Sequence, residues 1–132
     1  AALRLEADSI TYLTSPAIEK MTAFDGQNSK DIPVYDTDRL NGKDPYETFL
    51  SGPLSLVSLE NPEADTDREL IIFRDSFTSA IAPLLAEGYR KVTLADIRYI
   101  NPDYVCSMLD FGNKDVLFLY STAILNNSET IK

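Results

Sequence analysis

The 132-residue sequence contains no histidine, no tryptophan and a single cysteine, Cys106. Each absence removes a class of chemistry. Without histidine, no Ser-His-Asp or Cys-His triad can be assembled within these residues, and no imidazole can ligate a metal. If hydrolytic chemistry is present, its usual base has to come from outside this stretch. One cysteine can form neither an internal disulfide nor a thiolate zinc site. Positive charge is scarce: 12 lysines and arginines stand against 21 aspartates and glutamates, for a net charge of −9. That balance argues against nucleic acid and anionic membrane surfaces as partners, since both need a basic footprint. The longest apolar stretches fall far short of the roughly 20 residues that span a bilayer. No signal peptide is visible, because Arg4, Glu6 and Asp8 follow Ala1 with no apolar run between them. An initiator methionine is missing too, which is compatible with a processed protein, a cut chain or a fragment. Nothing points to a cofactor.

What is present suits one globular domain. Domains run at about 100–200 residues, and a hydrophobic fraction of 44% is enough for a real core. The chain divides near residue 68. Residues 1–67 are polar and interrupted by Pro16, Gly26, Pro33, Gly42, Pro45, Gly52, Pro53 and Pro62. Ile10–Leu13 and Ile32–Tyr35 read as short strands, Gly26–Asp31 and Asn41–Asp44 as turns, and Tyr46–Leu50 as one helical turn. Leu54–Leu59 is a better strand. It is expected to pair antiparallel beside Leu70–Phe73 across the charged connector Glu63–Arg68, as a hairpin with a long loop.

Residues 68–132 have a different rhythm. Leu70-Ile71-Ile72-Phe73 is a solid apolar run, as in a strand covered on both faces. Phe77, Ala80, Ile81, Leu84 and Leu85 recur at the spacing of an amphipathic helix. Pro83 should kink that helix or delay its regular start, and Gly88 suits its C-terminal cap. Val92–Ile97 is a second strand, Asp103–Phe111 a second helix opened by Pro102, and Val116–Tyr120 a third strand. The order β-α-β-α-β with short connections implies a parallel sheet with right-handed crossovers. The fold class is therefore α/β: a three-layer, flavodoxin-like parallel sheet in the second half, with an irregular β-rich first half that adds an antiparallel strand.

Ligands gather at the carboxyl ends of strands in such sheets. Three clusters mark those ends: Arg74-Asp75-Ser76, Asp96-Ile97-Arg98-Tyr99, and Tyr120-Ser121-Thr122 with Asn126-Asn127. Ser76 lies at a strand-to-helix turn, where backbone N–H groups can stabilise an oxyanion. The same Asp75-Ser76 pair also suits a plain helix cap. Asp75 alone would fit a phosphoacceptor or phosphatase edge, but the further carboxylates or the lysine those folds need are not evident. Arg98 could grip a carboxylate or sugar oxygens through its fork of donors, or simply pair with Asp96. Tyr99 is a cleft wall or a packing residue. Asn126 is a polar donor at the third strand end or part of a turn. Cys106, between Val105 and Met108, is expected to be a small buried apolar group. Lys91 and Lys114 fall at the opposite, amino ends of the strands.

The segment Leu70–Tyr89, with Val92–Tyr99, Asp115–Tyr120 and Ile124–Asn127, resembles the C-terminal half of bacterial DHHW proteins. These are SGNH-hydrolase-like and similar to the alginate-type proteins that O-acetylate surface polysaccharide. The polar first half looks like the stretch that follows the DHHW motif, so the resemblance covers nearly the whole chain. It implies Ser76 as nucleophile and Asp75 as the acid beside it. The His and Asp partners would come from an upstream Asp-His-His-Trp motif that this chain does not contain. Arg74 stands where SGNH enzymes usually have glycine. The resemblance also implies an extracytoplasmic or cell-surface setting in a bacterium, with a polysaccharide as partner. If upstream residues are missing, an edge or face of the sheet is left bare, and a homodimer is one way to cover it.

Overall fold

Leu70-Ile71-Ile72-Phe73 has no polar side to turn toward water, and all four residues are buried. The computed structural model, which describes residues 9–127, 129 and 131, places them in the strand next to one edge of a six-stranded mixed sheet. The strands are β1 (Thr22–Asp25), β2 (Lys30–Ile32), β3 (Leu56–Glu60), β4 (Glu69–Arg74), β5 (Lys91–Ala95) and β6 (Asp115–Leu119). Their spatial order is β2-β1-β3-β5-β4-β6. β4 runs parallel to β5 on one side and to β6 on the other. That is the parallel core expected of residues 68–132.

Alternation along the strands makes two cores. Leu70 and Ile72 point to one face, with Val92, Leu94, Val57 and Leu59. Ile71 and Phe73 point to the other, with Leu56, Ala95, Ile97 and Val105. Helices α1 (Pro16–Lys20) and α2 (Ala82–Ala86) supply Ile18, Ala82 and Ala86 to the first face. Helix α3 (Pro102–Met108) covers the second through Val105. A fourth short helix, α4 (Thr122–Leu125), follows β6. The fold is thus three-layered α/β.

Several local expectations are corrected. Leu54–Leu59 does not pair with Leu70–Phe73. β3 pairs antiparallel with β5, which lies between β3 and β4. The connector 61–68 is long enough to pass the start of β5, and Arg90 holds it there. Its guanidinium donates to the carbonyls of Asn61, Pro62 and Ala64 at 3.1, 3.0 and 2.8 Å. Ile10–Leu13 forms no strand. Of Ile32–Tyr35, only Ile32 belongs to β2, while Tyr35 makes a lone bridge to Phe49. The first half contributes three antiparallel strands rather than one. β1 and β2 are too short, and too poor in apolar residues, to stand out from loop.

The stripe Phe77–Leu85 is corrected as well. Residues Ser76–Ala80 form a 3-10 turn, and regular helix begins only at Ala82, one residue before Pro83. The buried residues are Thr78, Ser79, Ala82, Pro83 and Ala86, whereas Phe77 is 64% exposed and Ile81 41%. Polar groups decide this rotation. The Thr78 hydroxyl donates to the Leu119 carbonyl at 3.3 Å, and Ser79 Oγ accepts from Arg74 at 2.8 Å. Gly88 closes α2 through its N–H to the Leu85 carbonyl, without a left-handed φ. Helix α3 stops at Met108, not Phe111, and it exposes Cys106 while burying Val105. Among the described residues, no helix is long and apolar enough to cross a membrane.

Candidate active site

Phe73 lies opposite Ala95 on one side and Phe118 on the other, so the three parallel strands end together. Their ends bring Arg74-Asp75-Ser76, Asp96–Tyr99 and Tyr120-Ser121 to one edge. β1 and β5 are both antiparallel to β3 and run the same way, which puts Asp25 at that edge too. The buried charged residues among those described are Asp25, Arg74, Asp75 and Asp96. All four lie here. A buried charge is costly unless it is paired and hydrogen-bonded, so each needs an account.

Asp75 is held by backbone. Its Oδ1 accepts from the Phe77 N–H at 3.0 Å, and its Oδ2 from the Ser121 N–H at 2.6 Å. The first bond is the cap expected of an aspartate before a helical turn. The second ties the end of β4 to the end of β6, 46 residues away. Arg74 continues the strand inward and is fully buried. It donates to the Leu54 carbonyl at 2.7 Å, to Ser79 Oγ at 2.8 Å and to the Asp75 carbonyl at 3.4 Å. Its Nε has no partner among the described residues. Burial pushes the Arg74 pKa down, and the nearby Asp96 carboxylate opposes that. Arg74 therefore fixes both sides of the turn on which Ser76 sits.

Asp96 and Arg98 form a two-pronged pair. Arg98 Nε donates to Oδ1 at 2.9 Å and Nη2 to Oδ2 at 2.7 Å. Those hydrogen bonds raise the Arg98 pKa, and charge-assisted pairs of this geometry are strong. The guanidinium also stands 5.1 Å from the centre of the Tyr99 ring, itself 65% exposed. Arg98 is thus committed to Asp96, with Tyr99 open to solvent beside it. Asn126 is exposed just beyond α4.

Ser76 is half-buried, and no hydrogen bond engages its hydroxyl among the described residues. It lines a cavity of about 160 Å³ with Tyr46, Glu47, Phe49, Gly52 and Pro53. Gly52 has φ +97°, and a Cβ there would meet the Glu47 side chain at 3.3 Å. The glycine is what lets this wall approach. Tyr46 was not foreseen from sequence. Its hydroxyl donates to the carbonyls of Ser76 at 3.2 Å and Phe77 at 2.9 Å, and burial pushes its pKa up. Nothing in a tyrosine 30 residues upstream signals that role. The first-turn donors are partly used: the Phe77 N–H goes to Asp75 Oδ1 and the Thr78 N–H to the Asp75 carbonyl. An oxyanion at Ser76 could not draw on those two groups without breaking the cap.

Two buried hydroxyls at this edge, Tyr120 Oη and Ser121 Oγ, have no hydrogen-bond partner among the described residues. Burial, and then Asp96, hold the Tyr120 phenol above its ordinary pKa, so it stays protonated as a donor. No group of three or more Asp, Glu or Cys residues that could hold a metal occurs among the described residues.

The chain matches no family model and no curated protein. Solved structures are informative. On PatB1 from Bacillus cereus the TM-score is 0.60 at 23% identity, covering 80% of this chain and 36% of that one. A second PatB1 structure, with a sulfonyl adduct, gives 0.58 at 23% identity, covering 80% of this chain and 38% of that one. A DHHW family protein from Eubacterium siraeum gives 0.56 at 25% identity, covering 83% of this chain and 38% of that one. The chain resembles bacterial DHHW proteins. Its fold is the SGNH-like α/β fold, and it spans less than two-fifths of the length of each of these structures.

Proposed function

We propose that this chain is the C-terminal part of an SGNH-like acyl esterase or O-acetyltransferase acting on bacterial cell-surface polysaccharide. The observation that carries the reading is the Asp75-Ser76 turn at the end of the central parallel strand, in a chain similar to a DHHW family protein. Ser76 Oγ would attack the acyl carbonyl carbon of a donor ester and give its proton to an imidazole, which passes it to the donor's leaving oxygen as the donor's acyl C–O bond breaks. A sugar hydroxyl or water would then attack the acyl-serine and give its proton to the same imidazole, which returns it to Ser76 Oγ as the serine ester bond breaks. A serine hydroxyl needs that adjacent base near neutral pH. No histidine exists in these residues, and Lys91 and Lys114 lie at the far end of the strands in ion pairs with Glu60 and Glu69. The resemblance to DHHW proteins supplies the rest of the reading: the imidazole and its aspartate would come from an Asp-His-His-Trp motif outside this stretch, and the protein would work on the extracytoplasmic side of a bacterium.

The 132 residues by themselves should hydrolyse an aryl acetate no faster than the buffer blank. Turnover that Ser76→Ala abolishes would overturn the assignment of the base to residues elsewhere. A longer version carrying the motif should form an acyl or sulfonyl adduct on Ser76.

The exposed Tyr99 and Tyr104 favour a second reading. They border a groove of about 220 Å³ with Ser55 and Ile100, and aromatic rings beside an arginine suit a sugar. The chain would then be a non-catalytic glycan- or protein-binding module. Glycan binding that survives Ser76→Ala but fails in Arg98→Ala would favour it.

A further inference from the structure

The turn that carries Ser76 is a short 3-10 segment, Ser76–Ala80, and not the first turn of a long helix. Hydrogen-bond geometry in such a segment is poorer than in an α-helix, so its shape depends on groups outside it. Asp75 caps its front, Arg74 reaches Ser79, and the Thr78 hydroxyl is tied to Leu119. The carbonyls of Ser76 and Phe77 are served from the first half of the chain, where the Tyr46 hydroxyl is shared between them at 3.2 and 2.9 Å. Tyr46 is itself firmly seated. It lies in a second 3-10 turn, Pro45–Thr48, whose Asp44 cap accepts the Tyr46 N–H at 3.0 Å. Its ring packs against Phe49 at 5.1 Å, and Thr48, Phe49 and Leu50 behind it are buried. The chain then bends sharply. Leu50, Ser51 and Gly52 have φ of 54°, 59° and 97°. Left-handed φ is strained at a serine and more so at a fully buried leucine. Strain of this kind persists only where the surrounding structure over-determines it, and it collects at functional sites. Here the bend brings Gly52 against Glu47 and closes the wall of the cavity that Tyr46 shares with Ser76.

We propose that Tyr46 is a positioning residue for Ser76, its hydroxyl holding the two peptide groups that follow the serine in the orientation the reaction needs. This rests on the reading of Ser76 as the nucleophile of acyl transfer. The peptide plane after Ser76 fixes its ψ, and ψ sets the direction of its Cα–Cβ bond relative to the rest of the turn. A nucleophile has to meet the acyl carbon in a near-attack geometry, and a misplacement of about 1 Å can cost on the order of 100-fold in rate. Taking away the Tyr46 hydroxyl leaves the ring packed on Phe49 and 6.3 Å from Phe77. It frees the two carbonyls to turn. The loss therefore falls on the aim of Ser76 and not on the fold. Burial holds the phenol above its ordinary pKa, so the donated proton is in place at neutral pH.

The test uses a longer version of the protein that carries the Asp-His-His-Trp motif, with a sulfonyl fluoride as the probe. The reagent forms a sulfonate ester on serine Oγ and releases fluoride and the serine proton. Mass spectrometry over time gives the site, the rate constant and the final stoichiometry. Tyr46→Phe is expected to lower the rate constant roughly tenfold or more, while the stoichiometry stays at the level of the unmutated protein. With an aryl acetate, kcat should fall by the same factor and KM should stay within about twofold. Asp44→Ala removes the cap beneath the ring and keeps the hydroxyl. It should lower the rate by a smaller factor, and it stands as the second variant if Tyr46→Phe fails to fold. Labelling of Ser76 at the unmutated rate in these variants overturns the proposal and leaves the acyl-transfer reading intact. So does a loss of stoichiometry at an unchanged rate constant, which is what a purely structural tyrosine would give. An unmutated longer protein that forms no adduct on Ser76 overturns that reading, and the proposal with it.

Discussion

The two ends of the parallel strands handle charge in different ways. At the amino end, charges meet in solvent. Lys91 pairs with Glu60, Lys114 with Glu69 and Arg68 with Asp115, all with part of each side chain exposed. At the carboxyl end, Asp25, Arg74, Asp75 and Asp96 are buried, and backbone groups or a fixed guanidinium satisfy them. Solvent-exposed pairs contribute little to stability. Buried ones are expensive to assemble and damaging to break. A fold that concentrates its buried charge at one edge is holding a particular geometry there, and Ser76 sits inside that geometry.

Substitutions can break this contrast, and Arg74→Met should have the largest effect. It leaves two buried acceptors, the Leu54 carbonyl and Ser79 Oγ, without their charged donor, at about 3–5 kcal/mol for the two together. Urea unfolding would read it as a lowered midpoint at constant slope. Asp75→Ala should follow at roughly 3 kcal/mol, because two backbone N–H groups lose a charged acceptor. Besides destabilising, it should speed amide exchange at Ser121.

The third effect is on pH dependence. Burial pushes the Asp25 carboxyl up, but the Asn28 side chain, the N–H groups of Asn28 and Gln27, and Lys30 together bring its pKa below 3.8. A group whose pKa is lower folded than unfolded stabilises the fold above the unfolded value. That contribution fades as the pH falls from about 4 through the folded pKa. Asp25→Asn should flatten this acid limb of a stability–pH curve and leave the slope near neutrality unchanged.

The smallest effect belongs to the amino end. Lys91→Ala should change stability by no more than about 0.5 kcal/mol. A loss as large as that of Arg74→Met would erase the contrast between the two ends.

Much of the carboxyl edge was legible because it follows from direction alone. Two solid apolar runs, at 70–73 and 116–120, and the β-branched run at 92–97 between them read as parallel strands with short crossovers, and parallel strands share an edge. The Asp96–Arg98 pair and the Asp75 cap follow from spacing of two residues. What could not be read were the contacts that join distant segments. These are the bond from the Ser121 N–H to Asp75, the Tyr46 hydroxyl over the Ser76 turn, and the reach of Arg74 to Leu54. The amphipathic stripe misled because apolar spacing counts Phe77 and Ile81 but ignores the hydrogen bonds that draw Thr78 and Ser79 inward. The hairpin misled because composition marks a strand without naming its neighbour, and β5 took the place beside β3.

The central claim is that this edge carries the serine of an acyl-transfer site whose base lies outside these 132 residues. Reading the coding sequence immediately upstream of Ala1 tests it most directly. The account predicts an in-frame Asp-His-His-Trp motif there. A start codon directly upstream, with no histidine encoded anywhere in the chain, would contradict it and leave a binding module as the better description.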